Sequence, residues 1–360
     1  MIRKILAVIL VLALVGAGVL YWLTRPRPTL VVLTWPGAYG RAQAAALMRP
    51  FTAAQGIDVR IAQYDGGLKE LTQSVASKQY RFDVMDMELP EAVAACRQGL
   101  LERLDAASLP AGADGAAATR DFVAGALGPC WVGSVVYSQA IIFNPRPGGP
   151  APSRLADFFD TSHFPGPRAL DRDSAKFNLE LALLADGVPA AQLYATLATQ
   201  EGQDRAFRKL QSLAPIRWWS NSAEAIAMVK DGRVAMATAL NGEGGIFDAR
   251  WPHVIWDRQL YEMDVFAIPA GNPKKDRAMD FIRFATGTGP LAKMADWMPY
   301  GPARRSSMAE VGNNPETGLA MKDWLPTAHF DSAVPIDDGW WLAHGAAIAP
   351  RWQAFVTNGR

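Results

Sequence analysis

Between Leu30 and Gly99 the sequence passes three times from a strand pattern to a helical one, and this alternation limits the architecture more than any other feature. Leu30–Leu33 is a short aliphatic and β-branched run, and Trp35-Pro-Gly-Ala-Tyr-Gly40 behind it is turn chemistry. From Arg41 to Ala54 the apolar residues Ala44, Leu47, Met48 and Phe51 recur at helical spacing. Gly56–Ile61 reads as a second strand, Leu68–Ser77 as a helix and Phe82–Met87 as a third strand; Pro90–Gly99 reads as a helix closed by its glycine. Such alternation builds an α/β fold with a mainly parallel sheet and right-handed crossovers. Ligands collect at the carboxyl ends of those strands. That makes Trp35, Tyr39, Asp86 and Glu88 the first candidate site residues.

The rest of the chain extends the pattern. Val132–Phe143 is an apolar run too long for one ordinary strand, and it is able to pass between two lobes. Helices are expected over Leu155–Phe159, Ala175–Ala185, Ala190–Leu213, Ser222–Lys230, Asp276–Ala285 and Pro290–Met298. Ala169-Leu-Asp leads into the second of these. Trp218-Trp219-Ser ends a strand, Arg233–Leu240 is a buried strand, and Val265–Ile268 is a strand closed by Pro269. Asn241-Gly-Glu-Gly-Gly245 is a flexible break. No internal repeat or low-complexity tract is present.

The N-terminus sets the compartment. Arg3 and Lys4 precede an uncharged apolar run, Ile5–Leu23, and a Pro/Arg break follows it. This is an export signal. As a helix the run would be roughly 28 Å long, against ~30 Å for a bilayer core, so an uncleaved anchor and a cleaved signal are both open. Tyr21 and Trp22 lie where interfacial aromatics of an anchor would sit. Either way the body belongs outside the cytoplasm, in the periplasm, with residues 5–23 as its tie to the inner membrane if they are retained.

Basic and acidic residues number 36 and 35, so there is no basic footprint for nucleic acid. The length calls for two lobes. Twelve tryptophans are mostly core residues, with enough left over for an aromatic-lined cavity. Cys96 and Cys130 are the only cysteines. In an exported chain one disulfide is the first expectation, and two separate buried thiols are the alternative.

Catalytic motifs are missing. None of His163, His253, His329 and His344 has a partner at metal-ligand spacing. There is no G-x-S-x-G elbow, no P-loop and no dinucleotide fingerprint after a strand. Neither a cofactor nor a metal is called for, and the expectation is a binding protein without catalytic residues.

Several ordered stretches then carry a resemblance. They are Leu33-Thr-Trp-Pro-Gly-Ala-Tyr-Gly40, Cys96-Arg-Gln-Gly-Leu-Leu-Glu-Arg-Leu-Asp105 and Cys130-Trp-Val-Gly-Ser-Val-Val-Tyr-Ser138. Phe164-Pro-Gly-Pro-Arg-Ala-Leu170, Val234-Ala-Met-Ala-Thr-Ala-Leu-Asn-Gly242, Asp264-Val-Phe-Ala-Ile-Pro269 and Pro299-Tyr-Gly-Pro302 continue the series. Over residues 30–360 the chain resembles the periplasmic solute-binding proteins of ABC importers, in the spermidine/putrescine-binding group with the type 2 periplasmic-binding fold.

The resemblance implies two α/β lobes with a ligand cleft between them. Residues 1–29 would be the signal or anchor and linker. Residues 30–137 plus 263–302 would form the first lobe, and 138–262 plus 303–360 the second with the C-terminal helices. It implies a Cys96–Cys130 disulfide. It also implies rings that frame the ligand at Trp35 and Tyr300, and a carboxylate at Asp264 that receives an ammonium. Tyr39, Glu88, Trp219, Asn241 and Glu262 complete the candidate set. The group's acidic residues at the start of the second lobe's first helix are replaced here by Ser174-Ala-Lys-Phe177, and Leu240 stands at a position of a tryptophan. A smaller or zwitterionic amine, such as an amino acid, suits the site better than a long polycation. The partner would be an ABC permease in the inner membrane; an anchored sensor using the same cleft is the alternative.

Overall fold

The computed structural model describes residues 27–145, 149–242 and 253–358. The apolar segment 5–23 and the glycine-rich break beyond Gly242 lie outside the described residues. Among the described residues no helix is long and apolar enough to cross a membrane.

One ten-stranded sheet organises the chain. Its strands are β1 (Thr29–Thr34), β2 (Asp58–Gln63), β3 (Val84–Glu88), β4 (Trp131–Phe143), β5 (Arg168–Asp171), β6 (Ile216–Trp219), β7 (Met236–Leu240), β8 (His253–Ala267), β9 (Gly301–Pro302) and β10 (Val334–Pro335). They are ordered β2-β1-β3-β8-β4-β7-β5-β6, with β9 beside β4 and β10 beside β8. The outer strands of both wings are parallel, as strand–helix alternation requires: β1 with β2 and β3, β5 with β6 and β7. The long central strands are antiparallel: β3 to β8, β8 to β4, β4 to β7.

Apolar burial divides along the same line. One core gathers residues between Leu30 and Val136 with others between Tyr261 and Ala303. Two further clusters gather residues between Ile141 and Leu260 with Val334–Val356. The stretch after Ala303 bonds back to the first core. Ser306 and Arg304 bond to Asp121, Ser307 to the Thr288 carbonyl and Gly312 to Asp296. The helix Asp338–Asn358 then packs Ile348, Trp352 and Val356 into the second.

Three elements differ from the pattern reading. The first helix begins at Gly37 rather than Arg41, and turns through a π segment at Ala44–Met48 before Arg49–Gln55. Pro50, lacking an N–H, stands just past that π segment and is a reason for the loosened turn. The helical region from Ala190 is split, because the Thr199 side chain accepts from Gly202 N and starts a new helix, Gln200–Gln211. The strand expected over Val265–Ile268 is the 15-residue β8. Its polar residues hide the strand pattern, and two of them are satisfied by distant parts of the chain. Gln259 gives its amide to the Pro326 and His329 carbonyls, and Arg258, at φ 52°, bonds to Leu184 O where the β4–β8 register shifts. Cys96 and Cys130 form a disulfide, S–S 2.05 Å, within the first core. It closes a separation of 34 residues and so stabilises the fold by about 4 kcal/mol in the chain-entropy picture.

Candidate ligand-binding cleft

The carboxyl ends of β1, β2 and β3 meet β8 and β4 in a cluster of aromatic rings and carboxyl groups. Trp35 follows β1 and lies on Tyr64, which follows β2, with ring centroids 5.0 Å apart at 28°. The turn beside them needs two left-handed residues, Gly66 and Gly67, and a Cβ at Gly66 would stand 3.2 Å from the Trp35 ring. Glu91 fixes that turn by accepting from Gly67 N at 2.6 Å. Tyr39 meets Tyr300 edge-on at 5.7 Å, and Tyr137 meets Tyr300 at 6.2 Å. The Gly242 backbone passes so close to Tyr300 that a Cβ there would overlap the ring.

Carboxyl groups lie beneath these rings. Asp86 is fully buried and accepts from Gln43 Nε2 at 2.9 Å, Thr34 Oγ1 at 3.1 Å and Ser134 Oγ at 3.3 Å. The Tyr39 hydroxyl bridges Asp86 and Asp264. Glu88 and Asp264 are paired residues across β3 and β8, so both project from one face. Tyr137 and Glu262 are paired across β4 and β8 two residues further on, on that same face. Among the described residues Asp264, Asp86 and Glu88 form no ion pair.

Electrostatics follow from this crowding. Burial pushes the Asp86 carboxyl up to about 7, although four hydrogen bonds favour its charge. Asp264 is held well above the carboxylate range, first by burial and then by the charges of Asp86 and Glu88. Burial and Glu91 raise Glu88, while Lys176 opposes them. Two groups of like charge in a site sheltered from water cannot both ionise cheaply. The ligand-free cleft therefore holds protons that a cation would displace. Among the described residues no three His, Cys, Asp or Glu side chains are arranged to hold a metal ion.

The expected residues divide by position. Trp35, Tyr39, Glu88, Asp264 and Tyr300 come together here, and Glu262 joins at the edge through Lys176. Trp219 is buried in the second wing's cluster with Ile142, Ala169 and Val229. Asn241 receives the Ser138 N–H at 2.8 Å and gives its amide to the Pro299 carbonyl. Its side chain ties crossing segments together. Tyr64, Tyr137, Lys176 and Asp338 were missed. Tyr64 follows a strand and obeys the rule that picked Trp35. Lys176 bonds to Glu262 and, at 3.0 Å, to Asp338; burial alone would lower its pKa, but these two charges raise it. No sequence spacing links 176, 262 and 338.

Two wings of sheet, joined by long central strands and with a closed-in charged cleft at the strand ends, define a solute receptor of the periplasmic-binding kind. The chain matches the family model of bacterial extracellular solute-binding proteins over residues 46–318 and belongs to that family. It is 34% identical over 335 residues to the gamma-aminobutyric acid-binding protein of Pseudomonas aeruginosa PAO1, covering 92% of this chain and 91% of that one. A solved structure of the Atu4243-GABA receptor is 30% identical with a TM-score of 0.74, covering 92% of this chain and 98% of that one. PotD of Streptococcus pneumoniae, a spermidine/putrescine ABC transporter substrate-binding protein, shares the fold. Its TM-score is 0.69 at 16% identity, over 91% of this chain and 99% of that one. The expected family and two-lobed fold are met. This is an extracytoplasmic solute-binding component of an ABC transporter and not an enzyme.

Proposed function

We propose that the chain captures a small zwitterionic amine of the γ-aminobutyric acid kind and presents it to an ABC permease. The observation that carries this is the Asp264–Asp86 carboxyl pair, buried beneath aromatic rings with no cation beside it among the described residues. An ammonium over a Trp or Tyr face gains about 0.5–2 kcal/mol, and a charge-assisted hydrogen bond to Asp264 adds to it. The name of the Pseudomonas aeruginosa relative supports the same ligand class. Lys176 on the second side of the cleft argues against a second ammonium. In this reading Trp35, Tyr39, Glu88, Asp264 and Tyr300 hold the ligand, and Glu262, Trp219 and Asn241 shape the cleft wall and its hinge. Residues 30–137 with 263–302 form one lobe, to which the stretch 304–312 bonds back; 138–262 with the C-terminal helix form the other. Residues 5–23 tie the body to the inner membrane.

Titration calorimetry with 4-aminobutanoate, 1,4-diaminobutane and butanoate tests the reading. The expected order places 4-aminobutanoate first and butanoate last. Equal binding of butanoate would remove the amine from the argument. Mass analysis of the membrane fraction tests the anchor, with residues 1–26 retained as the expected result.

A further inference from the structure

A cavity of about 730 Å³ opens on the second wing, between the helix Gln200–Gln211 and the last turns of the helix Asp338–Asn358. That is the size of a small-molecule site, roughly 300–1,000 Å³. Pro215 and Ile216, at the amino end of β6, complete its lining. β6 runs parallel to β5, and solute clefts form at the carboxyl ends of such strands. This cavity is at the other end. None of its lining residues belongs to the aromatic and carboxyl cluster.

Its walls are apolar, with one guanidinium set into them. The Phe207 and Phe355 rings meet edge-on at 5.3 Å, and Ile216 and Ala354 extend the same surface. Arg351 lies 4.2 Å over the Phe207 ring. One side of its fork is spent, because Nη2 bonds to Asp204 Oδ1 at 2.6 Å. The buried Nη1 has no partner among the described residues. Asp204 also feels the charge of Arg208, so two cations stand against one acid here. An arginine does not shed its charge by losing a proton, and the surplus stays positive at any ordinary pH. A guanidinium donor without an acceptor is costly until one meets it. The Arg351 side chain is 35% exposed, so a small turn of the fork brings Nη1 to an incoming acceptor.

We infer that this cavity is a second binding site, for an amphipathic monoanion: an aryl or alkyl carboxylate whose apolar body lies on the Phe207–Phe355 wall and whose carboxylate meets Arg351. A carboxylate matches the planar fork and its charge together. A neutral amphiphile fills the same volume but leaves the surplus charge unmatched, and an ammonium is repelled by the two arginines. The selection is opposite in sign to that of the aromatic cleft. It does not depend on what occupies that cleft, since Asp264 and Asp86 take no part in it.

Calorimetry on the whole protein with 3-phenylpropanoate, and with 3-phenylpropanol as its uncharged counterpart, tests the assignment. The carboxylate should bind at least tenfold more tightly than the alcohol, and Arg351→Met should remove that preference. The fold should stand in that variant, because Asp204 is 38% exposed and water replaces its partner. Ala354→Trp adds bulk from an exposed position into the cavity. It should abolish 3-phenylpropanoate binding and leave 4-aminobutanoate binding unchanged. The inference is overturned if the carboxylate does not bind, if the alcohol binds as tightly, or if Ala354→Trp leaves carboxylate binding intact. Failure of the amine reading of the cleft would show instead in the 4-aminobutanoate titration, with this site untouched.

Discussion

Two buried acidic sites in the first lobe are built on opposite terms. At one, Asp121 meets Arg304 at 3.0 Å and also accepts from Ser306 N and Oγ, and both partners are almost wholly buried. Arg304 spends its remaining donors on the Thr286 and Pro110 carbonyls and lies 4.5 Å over the Phe122 ring. At the other, Asp86 and Asp264 are equally buried and face each other through Tyr39, with no arginine or lysine bonded to either among the described residues. Where the fold needs a buried carboxylate for structure, it supplies the counter-charge from its own chain. Where it leaves one out, the proposed reading has the ligand bring the missing charge.

The largest break in this comparison comes from the matched site. Arg304→Met should destabilise the fold by about 3–5 kcal/mol, because Asp121 is left charged and buried. Denaturant unfolding measures it, and a loss below 1 kcal/mol would show that the pair is not structural. At the unmatched site the signs separate. Asp264→Asn should weaken amine binding by about 2–5 kcal/mol while raising the melting temperature of the ligand-free protein, since the cost of burying a titratable acid beside Asp86 and Glu88 is gone. A drop in both would make Asp264 a structural residue like Asp121.

A smaller effect is expected at the rings. Trp35→Ala should cost about 0.5–2 kcal/mol of amine affinity through lost cation–π attraction, with little change for an uncharged analogue. Calorimetry on both ligands separates ring from charge.

The pH dependence is spread over a wide window and is small at any one step of it. The Asp86 value is raised to about 7 in the folded protein. Its stabilising contribution is therefore complete below the ordinary aspartate value, about 3.9, and is lost as pH rises through 7. The unfolding free energy of the ligand-free protein should fall over that window by at most about 1.4 kcal/mol per pH unit for each group, and the melting temperature should fall with it. Amine binding expels the protons, so affinity should instead rise with pH up to 7. Asp86→Asn should flatten both curves.

Much of this was legible beforehand. The alternation from Leu30 to Gly99 gives the first wing, and Asp264 ahead of an apolar strand marks a carboxylate that needs a cation. The rest depends on tertiary pairing. β8 looked short because Gln259, Glu262 and Asp264 interrupt its apolar pattern, and only distant partners such as Pro326, His329 and Lys176 satisfy them. Asn241, expected at the ligand, has its side chain engaged by Ser138 and Pro299. Gly37–Gly40 read as a turn, but once Trp35 has reversed the chain nothing prevents that stretch from being helical.

The strand order has a consequence for assembly. β8 inserts between β3 and β4, so the first wing's sheet stays incomplete until Asp264 has been made and exported. The second wing's strands β4, β5, β6 and β7 are all present once Leu240 has emerged. Through that interval the open edge is β3, a strand with a buried apolar face that invites pairing with other chains. Its residues Asp86 and Glu88 oppose this, because inward-pointing charges blunt an exposed edge. Two acids on that strand thus disfavour pairing of a half-made chain with its neighbours.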